Sequence, residues 1–239
     1  MNFCKNCNTE ITQNYCPNCG TPVELTRING QYIVKEIGNV LNFDKGILYT
    51  IRELILRPGV SIRKFIQEDR NRLVKPIIFL ILSSLIYTIA QQTLHFEDGY
   101  VKADMGNSAV TKIFEWIQNN YGYANIFMGV FIAFCTKLFF RKSGFNIYEI
   151  LILIFFTMGI GMLIYTIFGI TESLTKFRIL HIGGIIGAIY SIWAIGQFFD
   201  KQKASSYLKS FLSYFLGWLT SIIFVVIVGI LIDLINKSS

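Results

Sequence analysis

The chain has 239 residues, of which 53% are hydrophobic and only 15% charged, with a mean hydropathy of +0.49. A soluble domain carries about 25% charged residues, so this composition excludes an ordinary soluble enzyme throughout its length. The formal charge of +7 suggests nucleic acid, but the bases sit beside apolar blocks, where membrane proteins keep them, and no nucleic-acid partner is expected.

The N-terminus reads Cys4-Lys-Asn-Cys7, then eight residues, then Cys16-Pro-Asn-Cys19-Gly20. Each C-x-x-C pair can form a knuckle that aims two sulfurs at one point. Two knuckles supply four thiolates, the closed tetrahedral set of a structural zinc site. So short a segment buries no core, and metal binding would supply most of its folding free energy. The alternative is a redox or disulfide pair; a cytoplasmic head argues against stable disulfides, and no βαβ pattern surrounds the cysteines. The stretch resembles the minimal zinc ribbon at the N-terminus of many bacterial membrane proteins, with Cys16-Pro-Asn-Cys19-Gly20 as its most specific part. That resemblance implies a binding or folding module and no reaction.

Residues 21–30 read as a linker, and Gln31–Asn42 as a short helix. From Gly46 to Arg57 the apolar residues 47, 48, 51, 54 and 55 form a helical stripe, which Arg57-Pro58-Gly59 should stop. Val60–Gln67 offers a second short helix with Ile62, Phe65 and Ile66 apolar. Two basic amphipathic helices before a crossing either lie in the lipid interface or pack on the ends of the spans, and the pattern alone does not choose. The spaced residues Asp44, Gly46, Thr50, Leu54, Arg57-Pro58-Gly59, Ile62, Phe65, Arg70 and Pro76 resemble the segment before the first span in an uncharacterised bacterial family. Its members join an N-terminal zinc ribbon to several transmembrane helices. Arg141 and Asn146-x-x-Glu149 extend the likeness, whereas Glu68-Asp69-Arg70 and Ile150 depart from it. The resemblance implies an architecture without an assigned activity.

Five apolar blocks follow: Pro76–Leu94, about Ala124–Phe140, Ile147–Ile170, Ile179–Phe199 and Phe211–Ile235. The first is uncharged and about as long as a helix needs to cross the hydrocarbon core. Met1-Asn-Phe-Cys4-Lys-Asn lacks the start of a cleavable signal, so this first crossing is expected to target the chain. Five crossings place 17 of the 22 Lys and Arg on the side of the N-terminus, which predicts that end in the cytoplasm and the C-terminus outside. In the first outer loop, Val110, Ile113, Phe114 and Ile117 suggest a short interfacial helix. The expected architecture is an all-α transmembrane bundle of five spans with a small N-terminal zinc ribbon. It divides into a ribbon (1–25), a linker with juxtamembrane helices (26–75) and a transmembrane domain (76–239).

Ionisable groups near the membrane are the default functional candidates. Glu149, one turn into the third span with Asn146 before it, could relay a proton, coordinate an ion or hold a hairpin. The bland reading is an interfacial carboxylate paired with Arg141 or Lys142. His95 and His181, with Glu97 and Asp98, form a weaker candidate. Gly183, Gly187 and Ser191, four residues apart, mark a helix-packing face, within one bundle or between copies in a homo-oligomer. Cys135 reads as a small packing residue. No nucleophile elbow, phosphate loop or H-E-x-x-H pattern is present, so no catalytic residue is assigned and no enzyme is expected. The expected function is a scaffold of the cytoplasmic membrane, with the ribbon docking a protein partner. The rivals are a transporter component using Gln91, Gln92, Asn146 and Glu149, and a lipid-acting membrane enzyme.

Overall fold

The structure, a computed structural model, describes residues 2–4, 7, 9–11, 14, 16–19, 46–96 and 108–238. Gly20, the linker at 21–30, the helix expected over Gln31–Asn42, and Glu97, Asp98 and Asp104 lie outside the described residues. The chain divides into two compact units, Met1–Asp44 and Lys45–Ser239. In the first, strands β1 (Asn2–Phe3) and β2 (Glu10–Ile11) pair antiparallel, with Asn2 opposite Ile11 and Phe3 opposite Glu10. The described part of the second is helical throughout.

That helical unit begins with α1 (Ile47–Leu56) and α2 (Pro58–Gln67). The expectation that Pro58 and Gly59 are spent on stopping α1 needs correction, because both lie inside α2. Pro58 occupies the first turn, where a missing N–H costs nothing and a fixed φ favours the helix. Gly59 is held there by close packing, since a Cβ on it would lie 2.5 Å from the backbone carbon of Gln197. Leu54, Ile62, Phe65 and Ile66 turn inward and join the main core. Leu48, Ile55, Leu56 and Val60 remain exposed on the outer side. The hairpin therefore packs on the ends of the long helices and keeps a second apolar face outward.

The long helices are α3 (Pro76–Leu94), α5 (Tyr121–Phe139), α6 (Ile147–Thr175), α7 (Leu180–Asp200) and α8 (Ala204–Ser238), with the short α4 (Ala109–Asn119) between α3 and α5. Four of them, α3, α6, α7 and α8, are long and apolar enough to cross a membrane; the apolar part of α5, Tyr123–Phe139, is shorter. α6 is the axis of the body. Its most apolar stretch is 61% buried, against 39% or less for the other three, and it packs against α3, α5 and α7. A helix apolar on all sides can satisfy that position, because every face meets a neighbour.

Successive long helices alternate in direction. Ser173, late in α6, donates to the carbonyl of Leu94 at the end of α3 (3.3 Å), so α3 and α6 run the same way. In α5, Lys137 donates to the carbonyl of Phe145 just before α6 (2.6 Å), which makes α5 antiparallel to α6. Gly183 and Gly187 of α7 meet Phe168 and Gly161 of α6 in reversed order, and α7 is antiparallel to α6 as well. Phe127 and Phe131 of α5 pack on Phe224 of α8, while Thr136 lies 3.4 Å from Ser213, which makes these two antiparallel. α6 runs on to Thr175, and α8 starts at Ala204, seven residues before the apolar block it contains. Neither extension contains a proline, and with no breaker the helix continues until its connection turns.

Candidate functional site

The N-terminal cysteines converge. The β1–β2 pairing folds the first knuckle back, and the Cys4 amide donates to the carbonyl of Thr9 (2.9 Å). Cys4 Sγ lies 3.4 Å from Cys19 Sγ, Cys7 Sγ lies 3.4 Å from Cys16 Sγ, and all four sulfurs fall within 4.8 Å of one another. A disulfide needs about 2.05 Å. A tetrahedral thiolate site with bonds of about 2.3 Å has edges of about 3.8 Å, which the observed separations bracket. Cys4 and Cys16 are buried and Cys19 is exposed. Thr9 supplies the outer shell: its hydroxyl lies 3.3 Å from Cys7 Sγ and accepts from the Asn18 amide at 3.4 Å. Hydrogen bonding to the Thr9 side chain and backbone holds the Cys7 thiol below its ordinary value. The backbone bond from Cys19 favours the Cys16 thiolate, yet burial and the facing Cys7 and Cys19 sulfurs push that thiol up to about 11. Four thiols this close are poor neighbours as anions and good ones around a divalent cation. Among the described residues this is the one group of three or more Cys, His, Asp or Glu arranged to hold a metal.

Sequence reasoning passed over the second constellation, in the α1–α2 hairpin. Glu53 is buried, 4% exposed, between two arginines and a serine. Arg57 donates to its Oε1 at 2.9 Å, Ser61 to its Oε2 at 2.8 Å, and Arg72 to the same Oε2 at 3.2 Å. Burial raises this carboxyl; the Ser61 hydroxyl and the two guanidiniums outweigh it and hold the group below the usual carboxylate range. The cluster ties α1, α2 and the turn before α3 together, and Thr50 adds a bond from the Val74 amide at 3.1 Å. Arg63 fastens the hairpin to the body, donating to the carbonyls of Phe198 (2.5 Å) and Phe199 (2.6 Å) at the end of α7. The one readable signal was a lone acid inside a basic helix pair.

Asn146 and Glu149 form a reciprocal capping box. The Asn146 side chain accepts the Glu149 amide at 3.0 Å, and the Glu149 carboxylate accepts the Asn146 amide at 2.7 Å. Both groups therefore serve the first turn of α6, which they stabilise against its unpaired N–H groups. Gln91 and Gln92 lie at the far end, beside Leu94 and Ser173. From Glu149 to Ser173 is about 36 Å of helix, so the four polar residues of the transporter reading are not brought together. His95 and His181 are both exposed. Gly183, Gly187 and Ser191 are buried on the side of α7 that faces α6. A Cβ on Gly187 would lie 3.3 Å from the Gly161 carbonyl oxygen, which leaves room for two backbones and little else. Cys135 is partly buried.

Two further carboxylates cap helices from outside: Glu172, which sequence reasoning passed over, and Asp233, which it reads only as an outer-interface residue. Glu172, buried late in α6, accepts the amides of Ile179 (2.8 Å) and Leu180 (2.7 Å) where α7 begins. Asp233 of α8 accepts the Ala109 amide at 2.9 Å where α4 begins. Such pairings satisfy orphan donors and complement the helix dipole. A cavity of about 320 Å³ inside the body is lined by Met128, Met158, Met162, Asn125, Tyr214 and Trp218 among others, with no charged side chain.

A family model described as a protein of unknown function (DUF3667) matches residues 44–88. The match covers α1, α2 and most of α3, and so contains the Glu53 cluster, Pro58-Gly59 and Arg63. No curated protein and no solved structure matches the chain.

Proposed function

We propose that the protein is a five-span scaffold of the cytoplasmic membrane whose N-terminal cysteines hold a structural zinc ion and present a docking module. The carrying observation is the cluster of four sulfurs within 4.8 Å, a closed ligand set that leaves no position for substrate. The alternating directions of the five long helices support five crossings, with α5 as the second. The basic end, which gathers the hairpin, Lys137, Arg141, Lys142, Lys201, Lys203 and Lys209, then faces the cytoplasm together with the N-terminus. The C-terminus lies outside. The outward apolar face of the α1–α2 hairpin rests in the lipid headgroup region.

Non-catalytic work fits the polar inventory of the body. Glu149, Glu172 and Asp233 all bind helix N-termini, Arg63 binds carbonyls at the end of α7, and Lys137 binds the Phe145 carbonyl just before α6. Charges committed to holding backbone ends favour a rigid anchor over a proton or ion path.

Two measurements test this. Metal analysis of the purified protein should find one zinc per chain, lost in Cys4→Ser/Cys7→Ser; a wild-type protein free of zinc overturns the metal assignment. Crosslinking in mild detergent should capture a protein partner that disappears when residues 1–25 are deleted while the spans still insert. A flux abolished by Glu149→Gln, with zinc and assembly intact, would instead establish transport.

A further inference from the structure

At the basic end, the α5–α6 connection and the start of α8 enclose a cavity of about 490 Å³. Its wall carries four cations, Arg141, Lys142, Lys203 and Lys209, against one carboxylate, Asp200. Among the described residues only Lys203 of these four is ion-paired, to Asp200 at 3.0 Å. Three positive charges are thus left around one concavity, where low-dielectric walls strengthen their common field. The floor is aromatic. Phe140 and Phe199 stack with ring centroids 3.8 Å apart, and Lys209 sits 6.0 Å above the Phe140 ring. Ser205 and Ser206, in the first turn of α8, add hydroxyls and the positive end of a long helix dipole. Along the same helices, α5 exposes Phe134 and Leu138, and α8 exposes Leu208 and Leu212. A cationic cup above an open apolar flank has the layout of an anionic lipid: charge at the top, chains below.

We propose that this cup binds a phosphate-bearing anion, and that its source is the headgroup of an acidic phospholipid in the surrounding leaflet. Arg141 supplies a planar fork for two phosphate oxygens, and Lys142 and Lys209 supply point charges on either side. The acyl chains lie along the exposed apolar side chains of α5 and α8. The proposal rests on the reading of the body as membrane-embedded.

Native mass spectrometry of the full chain, released from nanodiscs of mixed phosphatidylcholine and phosphatidylglycerol, tests it. The wild type should retain one phosphatidylglycerol in preference to phosphatidylcholine. Arg141→Gln/Lys142→Gln/Lys209→Gln should weaken that retention on the order of a hundredfold, at about 1 kcal/mol per basic group. The charge-matched variant Lys64→Gln/Lys75→Gln/Lys201→Gln, which leaves the cup intact, should retain the lipid. Equal loss in both variants means a diffuse surface charge and overturns the site, as does a wild type with no preference for the acidic lipid. Inorganic phosphate added as competitor separates the sources. Displacement at low millimolar phosphate assigns the cup to a soluble phosphate and overturns the lipid source, whereas retention confirms it. A protein that stays monodisperse without detergent defeats the membrane reading itself, a result independent of lipid preference.

Discussion

Glu53 is a buried acid that is stable only as an anion. Its folded-state affinity for protons is depressed, so the stabilisation it provides is present above the ordinary glutamate range and is lost as pH falls through the lower, folded value. Attachment of the hairpin should therefore weaken below about pH 4, read as rising pepsin cleavage within α1 and α2. Glu53→Gln keeps the shape but leaves Arg57 and Arg72 without a counter-charge. It should cost about 1–3 kcal/mol at neutral pH and abolish that acid dependence. Arg57 and Arg72 are partly exposed, at 60% and 28%, and solvent keeps the loss below that of a fully buried pair. At the other end of the body, Glu172→Gln removes a charge from the start of α7. A loss of about 1 kcal/mol is expected, seen as faster hydrogen exchange at Ile179 and Leu180. The composition already named Glu149 as an acid beside a membrane block. Its partner was not legible, because a capping box looks the same in sequence as an acid poised for chemistry until the loop geometry is known.

The element most tightly specified by packing is α7. Gly187 lies against Gly161, and Gly183 against the Phe168 side chain. Gly187→Leu should force α6 and α7 apart, costing about 1–3 kcal/mol and lowering the thermal midpoint in detergent. Gly184→Leu makes a fair control, since a Cβ there meets only ordinary contact with Tyr165 at 3.6 Å and nothing closer. The four-residue spacing of Gly183, Gly187 and Ser191 was readable from the sequence as a contact face; that α6 is what it touches was not, because spacing carries no partner. The same limit applied to α1 and α2. Their apolar stripes were visible, but the choice between lipid and protein depended on Leu54, Ile62, Phe65 and Ile66 meeting the long helices, a contact made across more than 130 residues at Arg63 and Phe198.

At the scale of the molecule, hydropathy was a strong guide to the body. Lipid leaves backbone polar groups only helices or closed barrels, and uninterrupted apolar blocks of this length suit helices, so they translate almost directly into α3, α6, α7 and α8. The least certain block, α5, is the one whose apolar run is short. A reporter fused after Ser239 should prove extracytoplasmic; a cytoplasmic signal would reduce the crossings to an even number. The cysteine head was legible for a different reason, since four ligands at this spacing leave few other uses. Its division from the helical unit after Asp44 predicts that a chain starting at Lys45 still folds in detergent, with an unchanged helical signal.

The central place of α6 also sets an order of events during synthesis. α3 and α5 are made first, yet α3 packs chiefly on α6 and α5 on α8 and α6, and they touch one another little. Both must wait in the translocon or the bilayer without a core to join until the third long helix leaves the ribosome. A released chain truncated after residue 145 should hold two loosely associated helices, and one truncated after residue 175 should lock them together, a change that cysteine pairs placed on α3 and α5 would record as a jump in crosslinking yield.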